Sequence, residues 1–183
     1  MPVIREKAQL MSASEIDRTL VRLAHEVLEK TKDLDQLAFI GIRRRGVPLA
    51  QRLARKIEAL ENRKVPTGIL DINLYRDDLT TVDIKPVVSS TDIPFSVQGK
   101  DIILTDDVLY TGRTIRAAMD VLADYGRPRA VRLAVLVDRG RRELPIQPDI
   151  VGVSVQTTAA ESVRVMLKER GERDRIVLRE RRE

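Results

Sequence analysis

One stretch of this chain, residues 102–114, constrains its fold more than any other. Ile102 to Leu104 is a short apolar run, which predicts a strand buried on both faces of a parallel sheet. Two acids, Asp106 and Asp107, follow where we expect that strand to emerge. Thr111-Gly112-Arg113-Thr114 then turns the chain into a helix. The stretch therefore predicts a strand–turn–helix unit with polar groups at its turn.

That turn has the properties of an anion site. The first N–H groups of a helix lack partners within the helix, and the helix dipole favours negative charge there. Thr111 and Thr114 add hydroxyl donors, and Gly112 lets a phosphate approach the backbone closely. The helix ends near Gly126 and Pro128, and its apolar positions follow helical spacing. These inward residues are Ile115, Ala118, Met119 and Leu122.

The acid pair does not suit a phosphate, because two carboxylates that faced it would repel it. Asp106 and Asp107 are better suited to accepting hydrogen bonds from sugar hydroxyls or to holding a hydrated Mg²⁺. The stretch as a whole therefore predicts a ligand that is both phosphorylated and hydroxylated.

A second anion site is predicted at Arg43-Arg44-Arg45, between Gly41 and Gly46. These arginines follow the apolar strand Leu37 to Ile40 and precede an amphipathic helix, and guanidinium groups bind phosphate bidentately. The alternative is a basic surface turn. The apolar positions of the helix are Val47, Ala50, Leu53, Ala54 and Ile57.

The order of the remaining elements predicts the architecture. Residues 3–11 form an edge strand, and Ser12 with Glu15 forms a capping box that opens a helix to about Lys30. Strands and helices then alternate, and the tail forms a hairpin around Gly171. We expect a single α/β domain over residues 1–183, with a mostly parallel sheet flanked by helices. Ligands of such sheets bind beyond the carboxyl ends of the strands.

Residues 75–90 show little periodicity and predict a flexible arm or lid. Arg76 would close from this arm over a bound anion. The alternative is that Arg76 pairs with Asp77 or Asp78 at the surface.

Composition excludes several classes. The chain has no cysteine, which removes disulfides, thiolate metal sites and cysteine nucleophiles. Two Phe, three Tyr and no Trp argue against a base-stacking sheet face. No signal peptide or membrane-length apolar run is present, so we expect a cytoplasmic protein without membrane contact. The net charge of +5 permits a phosphate or nucleic-acid partner.

The stretch 102–114 resembles the 5-phosphoribosyl-1-pyrophosphate (PRPP) motif of type I phosphoribosyltransferases: an apolar strand, two acids, then Thr-Gly-Arg-Thr. Residues 71–79 and 133–145, with the helix segment Arg22 to Glu26, narrow the resemblance to the family of bifunctional pyrimidine operon regulators and uracil phosphoribosyltransferases. This resemblance covers nearly the whole chain. It implies the type I phosphoribosyltransferase fold, with a flexible arm and a small hood formed by the N- and C-terminal segments.

The resemblance also implies roles in a reaction of uracil with PRPP that gives UMP and pyrophosphate. Asp106 and Asp107 would hold the ribose hydroxyls, and Arg76 would arrive from the arm. Uracil would lie against Val137, Asp138 and Arg139, and Mg²⁺ would enter with PRPP rather than in a dedicated protein site. The PRPP and nucleotide contacts would come from Arg44, Arg45, Val108, Leu109, Tyr110, Thr111, Gly112, Arg113 and Thr114.

The same resemblance implies that UMP or UTP occupies this site and that a leader-mRNA stem-loop then binds a basic face. A homodimer or higher oligomer would pair two such faces. The candidates for this face are Arg18, Arg22, His25, Arg141 and Arg142; for the helix residues among them the alternative is a solvated surface. The family pattern has His at Arg141, basic residues near Gln147 and Val153, and Pro-Thr-Ser near residues 156–158. Fewer basic residues predict weaker salt dependence of RNA binding.

Three hypotheses remain open. The protein is a uracil phosphoribosyltransferase that also binds RNA, an RNA-binding regulator whose nucleotide site is only a sensor, or a transferase for another base that does not bind RNA. A P-loop NTPase is excluded because Gly-x-x-x-x-Gly-Lys-Ser/Thr is absent. A phospho-acceptor receiver domain would leave the arginine-rich loop unexplained.

Overall fold

The computed structural model describes residues 2–73 and 90–183. The predicted arm at 75–90 therefore lies, apart from Ser90, outside the described residues, and Arg76 with it. The strands are β1 (Val3–Met11), β2 (Leu37–Ile42), β3 (Thr67–Leu70), β4 (Asp101–Leu109), β5 (Ala130–Asp138), β6 (Ile150–Ser154), β7 (Glu161–Met166) and β8 (Arg175–Arg182). The α-helices are α1 (Ala13–Lys30), α2 (Gly46–Glu61) and α3 (Arg113–Ala123).

Five strands form a parallel sheet in the order β3-β2-β4-β5-β6. The chain passes from β2 outward to β3, crosses back to β4 and continues outward on the other side. The strand order therefore reverses between β2 and β4, which is where open α/β sheets bind their ligands. The predicted α/β fold with a parallel central sheet is confirmed.

Helices cover both faces of this sheet, as predicted. The apolar faces of α1 and α2 form one core with Phe39, Ile103 and Leu136. The apolar face of α3 forms the other with Ile40 and Ile102. Each core takes its apolar side chains from one face of the same strands. Strand β2 shows this most clearly, because it is buried at every position.

The first helix follows its sequence pattern closely. Ser12 Oγ accepts from the backbone N–H of Glu15, and the Glu15 carboxylate accepts from the Ser12 N–H, which completes the predicted capping box. The buried residues of α1 follow helical spacing and form one stripe, namely Ile16, Leu20, Leu23, Ala24 and Val27.

The terminal segments form a second, antiparallel sheet in the order β1-β8-β7, here called the hood. This confirms the predicted edge strand at residues 3–11 and the predicted terminal hairpin. Apolar residues of β7 and β8, including Val165 and Ile176, join the core under α1 and α2. Since β7 also lies against β4, the hood is held beside the edge of the parallel sheet where the ligand loops emerge.

Two predicted details are wrong. Strand β4 does not end before the acid pair but continues to Leu109, because Val108 and Leu109 still pair with β5. Met119 is 42% exposed and is not part of the inward face of α3. The buried arc of α3 is centred on Ala118 and extends to Val121 and Ala117, so Met119 lies just beyond its edge.

Candidate active site

The site lies at the carboxyl edge of the parallel sheet, where the loops after β2 and β4 leave neighbouring strands. Thr105 on β4 pairs with Gly41 on β2. This pairing places the acid pair directly beside the start of the loop of residues 43–45, here called the arginine loop. The first turn of α2 packs onto this point, since a Cβ on Gly46 would lie 2.4 Å from the Thr105 carbonyl oxygen. The two predicted anion sites are therefore adjacent in space.

The loop after β4 lines a cavity of about 520 Å³. Its lining consists of Asp106, residues 108–115 and Glu143. Gly112 is the N-cap of α3 with φ of 95°, a backbone conformation that favours glycine. No side chain caps this helix, and the N–H of Arg113 donates to Thr111 Oγ1 at 3.3 Å. This arrangement leaves a helix N-terminus open to a phosphate group.

A second loop, residues 139–149, holds the first one in place. The backbone N–H groups of Glu143 and Leu144 both donate to the Thr111 carbonyl oxygen, at 2.9 and 3.1 Å. Arg142 donates to the Tyr110 carbonyl oxygen and the Ile146 carbonyl oxygen, each at 2.7 Å. The loop of residues 108–114, here called the phosphate loop, is thus fixed by contacts with a segment about thirty residues further along the chain.

The acid pair consists of two unequal carboxyl groups. Asp106 is 7% exposed, whereas Asp107 is half-buried. The backbone N–H of Asp107 donates to Asp106 Oδ1 at 2.9 Å. Burial, and then the charge of Asp107, raise the pKa of Asp106 well above its usual value. The pair therefore presents one carboxyl group that resists ionisation beside a second, more accessible one.

The arginine loop after β2 differs in that its side chains are not tied down. Arg43 and Arg44 are exposed, and Arg45 is half-buried at the N-cap of α2. The peptide bond between Arg43 and Arg44 is cis. Within the described part of the chain, none of the three guanidinium groups makes a hydrogen bond or an ion pair. Arg43 and Arg44 line a second, smaller pocket together with Pro48 and Glu169, and the charge of Arg43 helps to lower the pKa of Asp71. The loop next to the acid pair thus carries three cations that the described residues do not bind directly.

The three residues predicted for uracil use their side chains internally. Val137 is in the core, and Asp138 pairs with Arg142, with Oδ2 at 2.9 Å from Nη2. Arg139, 6% exposed, donates to Thr157 Oγ1 at 3.1 Å and to the Glu161 carbonyl oxygen at 2.6 Å. What these residues present to a ligand is therefore mainly backbone.

Arg139 also stacks on Tyr110, with its guanidinium carbon 3.8 Å from the ring centroid. Tyr110 belongs to the phosphate loop, while Thr157 and Glu161 lie at the start of the hood. Arg139 therefore links the hood to the phosphate loop. Sequence reasoning missed this contact, because no local pattern joins Tyr110 to a residue at the end of β5.

The predicted basic face divides into free and bonded side chains. Arg18, His25 and Arg141 are exposed. Arg22 donates to the carbonyl oxygens of Val151 and Gly152 on β6, and Arg142 is bound within the loop described above. The structure therefore leaves fewer than five of these side chains available to a partner.

Asp71, at the end of β3, is a residue that sequence reasoning did not select. Its carboxylate accepts from the Asn73 N–H at 3.0 Å and from the Ser90 hydroxyl at 2.7 Å. Burial alone would raise the pKa of Asp71, but these hydrogen bonds lower it below the usual value. One carboxylate thus joins Asn73, which precedes the predicted arm, to Ser90, the last residue of that arm.

Among residues 2–73 and 90–183, no three His, Cys, Asp or Glu side chains are grouped to hold a metal ion. In the same residues, no helix combines the length and apolar character needed to cross a membrane.

Comparison with known proteins agrees with this geometry. Residues 9–170 match the family described as phosphoribosyl transferase domain. A hypoxanthine-guanine phosphoribosyltransferase from Bacillus anthracis has the same fold, with a TM-score of 0.72 at 19% identity over 97% of this chain and 99% of that one. A hypoxanthine phosphoribosyltransferase from Staphylococcus aureus gives a TM-score of 0.67 at 19% identity, covering 86% and 81% of the two chains. At this identity the likeness concerns the fold alone, and that fold is the type I phosphoribosyltransferase fold.

The sequence relatives are much closer. The chain is 56% identical to the bifunctional protein PyrR of Pelotomaculum thermopropionicum over 176 residues, covering 96% of this chain and 97% of that protein. It is 55% identical to the bifunctional protein PyrR of Thermus thermophilus, covering 97% and 98% of the two chains. The chain belongs to the bifunctional PyrR family of phosphoribosyltransferases.

Proposed function

We propose that the protein is a uracil phosphoribosyltransferase that also regulates pyrimidine genes by binding leader mRNA when uridine nucleotides are plentiful. The observation that carries the enzymatic half is the position of the acid pair. Asp106 and Asp107 lie near the end of β4, between an open helix N-terminus and the neighbouring loop that carries Arg43, Arg44 and Arg45. PRPP has the matching order of groups, since its ribose hydroxyls lie between a 5-phosphate and a diphosphate.

In this proposal the loop of residues 108–114 binds the 5-phosphate through backbone N–H groups and the hydroxyls of Thr111 and Thr114. Asp107, as the more accessible carboxylate, accepts hydrogen bonds from the ribose hydroxyls, with Asp106 behind it. Arg44 and Arg45 bind the diphosphate. Arg76 is proposed to join them, although it lies outside the described residues.

Uracil displaces pyrophosphate at the anomeric carbon, so positive charge develops on the ribose while negative charge develops on the leaving group. In this proposal the accessible carboxylate of Asp107 stabilises the positive charge, and the guanidinium groups of the arginine loop stabilise the negative charge. The base would lie over Val137 to Arg139, where the carbonyl oxygens of Asp138 and Arg139 each already accept one hydrogen bond. Each retains a second lone pair that can accept from a base N–H.

Mg²⁺ fits this site as part of the substrate. Two adjacent carboxylates fall short of the six oxygens that the ion prefers, so the remaining ligands would be PRPP oxygens and water. Asp107 is the protein residue that would face the ion. When bound, Mg²⁺ neutralises part of the diphosphate charge.

For the regulatory half, Arg18 and His25 on α1 and Arg141 after β5 are the free cationic or titratable candidates for phosphate contacts with RNA. Arg22 and Arg142 would act indirectly, by holding α1 on β6 and by shaping the loop 139–149. We expect a homodimer or higher oligomer, which would place two such faces side by side. Since PRPP and messenger RNA are intracellular, we expect a cytoplasmic protein.

The enzymatic half is tested by assaying nucleotide formation from PRPP and Mg²⁺ with uracil, hypoxanthine, adenine and orotate. Turnover with uracil and little with the other bases is expected. Turnover with another base but not uracil would indicate a different transferase, and no turnover with any base would leave only a nucleotide sensor.

The regulatory half is tested by titrating pyrimidine-operon leader RNA with and without UMP at two salt concentrations. We expect UMP to tighten binding and added salt to weaken it. A scrambled stem-loop is the control, and equal binding of the two RNAs would contradict regulation by sequence-specific RNA binding.

A further inference from the structure

Three arginines from separate segments have buried, unpaired nitrogen atoms beside the proposed diphosphate site. Arg45 lies at the start of α2, Arg164 on β7 and Arg179 on β8. In each of them the Nε atom is shielded from solvent and has no hydrogen-bond partner among the described residues. A buried donor without an acceptor is costly, so each such atom calls for a physical explanation.

The three side chains form one cluster. In the hood, Arg164 lies opposite Val177 and Ser162 lies opposite Arg179. Arg164 and Arg179 are therefore diagonal neighbours on the same face of the sheet, within reach of each other's long side chains. Burial, then the charges of Arg164 and Arg45, lower the pKa of Arg179. The charge of Arg45, whose Nε is also buried, therefore acts on the hood through Arg179.

The cluster carries excess positive charge. In the described part of the chain its acidic neighbour is Glu172, which binds Arg164 with Nη2 at 2.6 Å from Oε2. Within the same residues, Arg45 and Arg179 make no hydrogen bond or ion pair. Arg132, which also has a buried unpaired nitrogen, is different because that nitrogen lies 4.0 Å from the Asp101 carboxylate. Uncompensated and partly buried cations of one sign favour an anionic ligand.

The chemistry of the cluster indicates which anion. Guanidinium groups bind phosphate oxygens bidentately, and three of them suit a ligand with more oxygens than one phosphate offers. Arg45 belongs to the arginine loop rather than to the phosphate loop after β4. We infer that Arg164 and Arg179 of the hood join Arg45 in binding the diphosphate group of PRPP and the pyrophosphate that is released.

This inference rests on the proposed function and adds two hood residues to its site. It also gives the hood a role in the reaction, because the diphosphate would connect β7 and β8 to the start of α2. Without ligand, the three cations repel one another.

The test measures pyrophosphate binding to the full-length protein by titration calorimetry in the presence of Mg²⁺. Arg164→Gln and Arg179→Gln are each expected to weaken binding about tenfold, the usual effect of losing one charge-assisted hydrogen bond. Arg173→Gln is the matched control, since Arg173 is an exposed arginine in the same hood hairpin. UMP affinity is expected to stay unchanged in all three variants, because its phosphate binds at the N-terminus of α3.

Thermal unfolding provides a second readout. Arg179→Gln removes one of three repelling cations and should leave Tm unchanged or raise it, whereas Arg164→Gln also removes the ion pair with Glu172 and should lower Tm. Pyrophosphate should raise Tm less in both variants than in the wild type. If Arg179→Gln does not fold, Arg179→Met keeps the apolar part of the side chain and removes the charge.

Equal pyrophosphate affinity in the wild type and the two cluster variants would overturn the inference, as would an equal loss in Arg173→Gln. A change of oligomeric state with unchanged pyrophosphate affinity would also overturn it, since the cluster would then be a contact between copies. Normal UMP formation with unchanged affinities refutes this inference alone. The opposite outcome is also possible to distinguish. If the wild type makes no UMP but the cluster variants bind pyrophosphate more weakly, the proposed function is refuted, while the inference that the cluster binds pyrophosphate stands.

Discussion

The two loops that emerge at the centre of the sheet are organised in opposite ways. The loop after β4 is fixed by contacts within the protein. Gly112 sets the turn, and Arg142 and the Glu143 N–H bind the carbonyl groups of the loop. The loop after β2 holds three arginines, and none has a hydrogen-bond or ion-pair partner in the described residues. One loop presents backbone donors in a fixed position, whereas the other presents charge that is not yet neutralised.

This difference matches the two ends of the proposed substrate. The 5-phosphate stays on the product, so a fixed backbone site can bind it throughout the reaction. The diphosphate gains charge and then leaves, so side-chain cations that can move with it are better suited to it. The contrast predicts that changes in the two loops will have different effects on stability and on binding.

The largest effect is expected at the acid pair that separates the loops. Asp107→Asn removes the accessible carboxylate that would face the developing positive charge on the ribose. We expect kcat/KM for UMP formation to fall on the order of a hundredfold or more, with little change in Tm. Initial rates and thermal unfolding of the same preparation test this.

Asp120→Asn is a suitable control for Asp107→Asn, because Asp120 is an exposed acid on α3 that pairs with Arg116 on the same helix. If Asp107→Asn unfolds the protein, the carboxylate is structural and its assignment to the ribose is wrong.

The next effect distinguishes the loops directly. Arg142→Gln removes the hydrogen bonds to Asp138 and to two carbonyl groups, so we expect a loss of about 2 to 3 kcal/mol in unfolding free energy. Arg44→Gln removes an exposed side chain without such partners in the described residues and should change stability by about 0.5 kcal/mol or less. Urea unfolding measures both variants.

Although Arg44→Gln should hardly change stability, it should lower the affinity for pyrophosphate about tenfold. Equal destabilisation by the two substitutions would show that the loops are not organised differently.

A smaller effect is expected at Gly112. Gly112→Ala places a Cβ at positive φ and 3.3 Å from Ile146 Cβ, which should cost about 1 to 2 kcal/mol. Tm should fall by roughly 2 to 8 °C, and UMP should bind more weakly because the turn moves. Gly140→Ala is the control, since Gly140 also has positive φ but an alanine Cβ there would meet no atom within 4 Å. If UMP affinity falls equally in both variants, backbone strain alone explains the result.

The smallest effect concerns pH and the buried member of the acid pair. Because the folded state raises the pKa of Asp106, its contribution to stability is full at low pH and is lost as pH rises through the folded pKa. Asp106→Asn cannot ionise, and its side-chain oxygen can still accept from the Asp107 N–H. The Tm of Asp106→Asn relative to the wild type should therefore increase as the pH rises above the usual pKa of an aspartate. A constant Tm difference would mean that Asp106 ionises normally.

Much of this structure follows from local sequence patterns. The capping box at Ser12, the doubly buried strands and the helical stripes each depend on residues within a few positions of one another, so they were predictable. The resemblance to a known family then supplied the roles of residues 102–114. Even there, the end of β4 was wrong, because only pairing with Val137 and Asp138 on β5 extends that strand past the acids.

The features that were not predictable all depend on contacts between distant segments. Arg142 was expected on an RNA-binding face, yet its guanidinium binds Tyr110 and Asp138. Arg139 stacks on Tyr110 and reaches the hood. Side chains of this kind look alike in sequence, whether they face solvent, a ligand or the protein itself.

The central claim is that the 5-phosphate binds the fixed loop and the diphosphate binds the arginine loop, with the ribose on the acid pair. A crystal structure with Mg²⁺, UMP and pyrophosphate tests it most directly. We predict the UMP phosphate at the N-terminus of α3, its ribose hydroxyls on Asp106 and Asp107, and pyrophosphate on Arg44 and Arg45. Pyrophosphate at the α3 N-terminus, or a ribose away from the acid pair, would contradict the account.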